Sequence, residues 1–211
     1  MRTPMTNRSR ALGLLAGVAV ALGGCGGDDP PAGGEGQQAG ASGTVTPEER
    51  RAEPSAIASG TTTLELSGRI ELLLGAAGID IVGVGAAEQS DQGIALPVSG
   101  GEIGVDPLAG RLDHEGGIRF EGGGQNVEAT DLRLDLRSGE VTADVAGVRV
   151  PLLDCEFDPA RVSDDAGSVI VPAGSVTLTE AAVTPLNEAL GFDLLSGGLA
   201  IGELEIDARW R

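Results

Sequence analysis

The stretch Asp131-Leu132-Arg133-Leu134-Asp135-Leu136-Arg137 constrains the fold more than any other, because three leucines alternate strictly with four charges. Side chains along a β-strand point to opposite faces in turn, so this segment has one apolar face and one solvated face. On a helix the same leucines would be scattered around the axis. Ser138-Gly139 then turns the chain into a second segment at 140–146, and Gly147 turns it again into 148–157. Links this short join antiparallel neighbours. Alternating or apolar runs predict further strands at 62–66, 79–84, 93–98, 110–121, 127–137, 168–171, 175–178 and 200–208. The expected fold is mainly β: an antiparallel β-sandwich or partly open barrel with two short helices.

The helices are expected at 68–77 and 180–190, and the two units share a design. Each is a strand, then a Ser or Thr at the N-cap (Ser67, Thr179), then an apolar helix. Each closes on a Gly just past its end (Gly78, Gly191). A hydroxyl at the N-cap accepts from a free helix N–H, and Gly adopts the left-handed turn that ends a helix. Pro185 falls inside the second unit and predicts a restart of the helix capped by Thr184.

The N-terminus reads as an address. Arg2, Arg8 and Arg10 precede the apolar run 11–22, which at 12 residues is shorter than the about 20 needed to span a bilayer. A basic head followed by a short apolar segment is a secretory signal, expected here over residues 1–24. Leu22-Gly23-Gly24-Cys25 matches a bacterial lipobox, so Cys25 is the expected lipidation site and mature N-terminus. Acyl chains add roughly 0.8 kcal/mol per buried methylene, and two or more make anchoring stable. Residues 25–59, rich in Gly, Pro, Ala and Glu, read as a tether, and 60–211 as one domain. The expected location is therefore extracytoplasmic, with the membrane as a partner through Cys25.

Loss of residues 1–24 removes three Arg and no acid, leaving 11 Arg against 32 Asp and Glu, a net charge of −21. Such a charge disfavours nucleic acid and anionic lipid headgroups as partners. Lys and Tyr are absent, and both Met residues lie in the signal. The sequence contains no Gly-x-Ser-x-Gly elbow, phosphate-binding glycine loop or His-Glu-x-x-His, so no catalytic residue is assigned and no enzyme is expected. Cys155 shares a strand face with Leu153 and Phe157 and reads as a small buried hydrophobe. Asp154, Glu156 and Asp158 on the opposite face, with Asp164-Asp165, are the acidic residues nearest to a Ca²⁺ site. A flat strand spreads alternate side chains ~6.6 Å apart, too far for a curved oxygen cage, so a solvated acidic face and no metal are expected.

His114 is the only histidine, in Arg111-Leu112-Asp113-His114-Glu115-Gly116-Gly117-Ile118-Arg119-Phe120. Two registers are open. If Gly116-Gly117 is a kink in one long strand, Leu112, His114, Ile118 and Phe120 share a face. If Glu115-Gly116-Gly117 is a hairpin loop, His114 pairs with Ile118 and Leu112 with Phe120. Both point the imidazole to the apolar side, where the first expectation is a hydrogen-bonded core histidine.

The ordered series 93–98, 110–120, 132–136, 139–145 and 176–179, with its Gly-x-x-x-His-x-Gly-Gly-x-x-Phe segment at 110–120, resembles the HtaA-type domain of actinobacterial envelope proteins. The likeness covers nearly all of 60–211 and rests on spacing more than on one motif. It implies a β-rich domain. The family's best-characterised members bind haem through a Tyr on an N-terminal helical segment, supported by a His. By position His114 would be that His, while the Tyr would fall near Leu72–Leu74, where this chain has none. The reading is thus an anchored, non-catalytic binding or structural module, meeting an unidentified small ligand or envelope protein and needing no cofactor. The alternative is haem binding and relay through His114.

Overall fold

A computed structural model describes residues 53–191, 193 and 195–211; the signal, Cys25 and most of the tether lie outside these. Twelve strands follow in order: β1 Ser55–Leu66, β2 Ile79–Val84, β3 Glu88–Ser90, β4 Gly93–Val105, β5 Leu108–His114, β6 Gly117–Gly122, β7 Gln125–Asp135, β8 Glu140–Val145, β9 Val148–Phe157, β10 Ser163–Asp165, β11 Ser168–Leu178 and β12 Ala200–Trp210. Helix α1, Gly68–Ala77, follows β1, and α2, Glu180–Leu190, follows β11.

Eight strands close an antiparallel barrel in the order β7-β5-β4-β1-β12-β11-β9-β8, with β8 pairing back to β7. Of the two architectures left open by the sequence, the barrel is the one formed. β2 and β6 extend the sheet beyond β7, while β3 and β10 are short additions to β4 and β11. The interior is filled by side chains such as Leu64, Ile94, Leu112, Leu134, Leu152 and Ile206, all buried. No helix among the described residues is long and apolar enough to cross a membrane.

Both helices have the expected bounds because their stop signals are local. Ser67 Oγ accepts from the Ile70 N–H at 3.3 Å, and Thr179 Oγ1 from the Ala182 N–H at 3.1 Å. Gly78 and Gly191 close them at φ 69° and 70°. The Thr179 hydroxyl also donates to the Pro151 carbonyl, fixing the start of α2 to β9. Pro185 does not restart α2, which runs unbroken through it. Tertiary packing of Ala182, Leu186 and Leu190 into the core outweighs the lost backbone bond.

β1 starts at Ser55, earlier than the tether boundary at 59. Ile57 is buried, and Ser55 and Ala56 pair with Ile103 and Glu102 of β4. β4 correspondingly continues past 98 through Gly100-Gly101, with a register slip between Val98 and Gly100. β11 is one strand, its Pro172–Gly174 segment absorbed by register slips against β12 and β9.

Candidate functional site

His114 ends β5 beside Val98 of β4, and the first of the two registers is the one adopted. β5 and β6 both pair with β7, Asp113 opposite Arg133 and then Gly117 opposite Thr130. They form one long strand kinked at Glu115-Gly116, and the true hairpin is Gly123-Gly124, not Glu115–Gly117. Leu112, His114, Ile118 and Phe120 are all buried on its inner face. Beyond the kink the strand's other neighbour changes from β4 to β2, so His114 stands where the sheet forks.

The matching irregularity on β7 is Asp131, a non-glycine residue at φ 52°. The buried positions of β7 change phase there, from Val127 and Ala129 to Leu132 and Leu134. An extended strand interrupted this way turns a carbonyl out of the ladder. The Leu132 carbonyl lies 3.3 Å from His114 Nδ1. On the other side of the ring, Nε2 lies 2.7 Å from Thr62 Oγ1 on β1. A carbonyl only accepts, so Nδ1 carries the proton, and bare Nε2 accepts from the Thr62 hydroxyl. The neutral imidazole satisfies both neighbours and is itself satisfied.

The ring is 7% exposed and Thr62 2%. Burial holds the His114 pKa below its ordinary 6.5, with the Leu132 bond and the Asp113 charge offsetting part of that shift. Around it Leu64, Leu96, Ile118, Leu134, Leu153 and Leu204 enclose a cavity of only about 10 Å³. That is room for one water at most.

On the outer face, Arg133 pairs with Asp113 across β7–β5 at 3.4 Å. Asp131 joins it by binding Arg149 of β9. Asp135 departs from the pattern: its carboxylate accepts from the Arg137 and Ser138 backbone N–H groups, each at 2.9 Å, and pins the turn after β7. The Ser138 bond is the main reason its pKa is lowered.

Cys155 is buried beside Leu153, and burial pushes its thiol up to about 12, removing it as a nucleophile at neutral pH. Asp154, Glu156 and Asp158 are exposed, and Asp158 caps the Ala160 N–H at 3.0 Å. Among the described residues, no three His, Cys, Asp or Glu side chains are grouped to hold a metal ion. On α1, Leu72 and Leu73 face solvent while Leu74 is buried.

Closed barrel, forked sheet and flanking helices define the class: this is the fold of the HtaA-type domain. The chain is similar to the C-terminal domain of HtaA from Corynebacterium glutamicum, at TM-score 0.57 and 14% identity over 74% of this chain and 99% of that one. The N-terminal domain of the same HtaA aligns at TM-score 0.52 and 14% identity, covering 74% of this chain and 98% of its own. No family model matches the sequence, and no curated protein does.

Haem, which the resemblance implies, makes demands that these residues do not meet. Iron takes His, Cys, Met or Tyr as its axial protein ligand. Here Nε2 of the one His is held by Thr62, the Cys155 thiol is buried and protonated, and Tyr is absent. The cavity at His114 is smaller by an order of magnitude or more than the about 300 Å³ of a small cofactor pocket. In this conformation the residues do not fit the group. The sequence placed His114 inward but did not reveal Thr62 and Leu132 as its partners, 52 and 18 residues away.

Proposed function

We propose that this chain is a lipid-anchored, extracytoplasmic module that binds or organises an envelope component without catalysing a reaction. The observation that carries this reading is the sealed imidazole, with both ring nitrogens engaged inside an apolar barrel. With the thiol also buried, His and Cys chemistry is withdrawn from solvent, and the barrel presents a charged outer face. The partner is an unidentified small ligand or envelope protein met by that outer surface. Cys25 and the tether would hold the barrel at the outer face of the cell membrane.

Haem binding and relay is the second reading, favoured by the likeness of the fold. It requires Thr62 to release His114 Nε2 and the interior to open. Fractionation tests the anchor: the Cys25→Ser chain is expected in the soluble extracytoplasmic fraction, with the unsubstituted chain in the membrane fraction. Retention of Cys25→Ser in the membrane would refute lipidation.

A further inference from the structure

Register slips interrupt several ladders of the barrel, β7–β8 among them. β1 and β12 stay in register from Ser59 opposite Arg209 to Leu66 opposite Gly202. Along β7–β8, by contrast, Ala129 and Thr130 pair with Val145 and Asp144, the register slips, and Arg133 and Leu134 resume with Thr142 and Val141. The slip falls on Asp131-Leu132, where Asp131 holds the left-handed backbone conformation. Such a residue carries on the order of 1 kcal/mol of strain and persists when its surroundings hold it.

Two side chains from different strands do so, one from each face of the sheet. Outside, the Arg149 guanidinium donates to both the backbone carbonyl and the carboxylate of Asp131. Inside, His114 donates to the carbonyl of Leu132, the next residue, and is braced against β1 by Thr62. We propose that the β7–β8 seam is where this barrel opens, with Arg149 of β9 reaching across β8 to latch it and His114 holding the bulged backbone of β7 from the β5 side. Opening there exposes an interior lined by Leu64, Leu96, Leu134 and Leu153, with the imidazole and the Thr62 hydroxyl as its polar groups. The surface ion pair alone is worth little. Its effect lies in bonding the carbonyl of the strained residue, so its loss acts locally.

Amide hydrogen exchange on the full chain at pH 7 tests this. Seam amides at 129–134 and 141–145 are expected to exchange faster than those at 59–66 and 202–209. Arg149→Ala should speed the seam about tenfold and leave β1 and β12 unchanged, and His114→Gln should speed the seam as well. An unchanged seam in Arg149→Ala, or equal acceleration of every strand, would overturn the latch. Arg149 is exposed, so its variant decides the question even if His114→Gln fails to fold.

Discussion

His114→Ala lowers stability by about 3 kcal/mol at pH 7 and flattens the pH dependence of stability between pH 7 and 5. The loss combines a cavity with two orphaned groups, the Thr62 hydroxyl and the Leu132 carbonyl, both in buried residues. The pH effect follows from the lowered pKa. Above the unfolded value of 6.5 the ring is neutral in both states, and its contribution is complete. As pH falls below 6.5 the unfolded chain takes a proton that the buried ring resists, so stability declines toward the folded pKa. Protonation also makes Nε2 a donor to Thr62, whose own hydroxyl proton then loses its acceptor. His114 is the only histidine, so its removal takes away the one imidazole that titrates in this window. Urea midpoints of both proteins at pH 7 and 5 provide the check. A variant within about 0.5 kcal/mol of the parent at pH 7, or one keeping the pH slope, would show that the ring is not a structural brace.

Gly202→Ala lowers stability by about 3 kcal/mol or more, through backbone and not through conformation. Gly202 lies opposite Leu66 on β1 and beside Val176 on β11, at the end of the β1–β12 ladder. A Cβ there would sit on the Glu65 carbonyl oxygen, 2.9 Å from its carbon and 3.0 Å from Leu66 Cα. No flexible side chain can swing aside, so β1 and β12 must part. Gly75→Ala is the control: on α1 its Cβ meets open space, and the change should be neutral to stabilising by roughly 0.5–1 kcal/mol. Thermal unfolding of the pair separates the two cases, and similar midpoints would refute the close approach of β1 and β12.

Local chemistry made the elements legible and left their closure hidden. Ser67, Gly78, Thr179 and Gly191 mark both helices within a few residues, because caps act over one turn. The Leu-Arg-Leu alternation of β7 and the inward direction of His114 follow from the two-residue period alone. The irregularity at Asp131 also left a trace, the change of phase from Val127 and Ala129 to Leu132 and Leu134. Sandwich and barrel share that alternation, and the choice between them depends on long-range pairings such as β1 with β12 and β5 with β7, which no spacing encodes. The early start of β1 was hidden because Ser55 and Ala56 are small residues, ordered by β4 rather than by their own pattern. Most of the site depends on such long-range partners. Thr62 reads as one hydroxyl in the run Thr61-Thr62-Thr63, and only the closed barrel brings it to the histidine.

We propose that His114 braces the barrel and does not face a ligand. Haemin titrated into the full chain and into His114→Ala, followed by absorbance, tests it most directly. A sealed imidazole predicts no sharpened Soret band in either protein. A band in the unsubstituted chain that disappears with His114→Ala would contradict the claim and establish the histidine as an iron site.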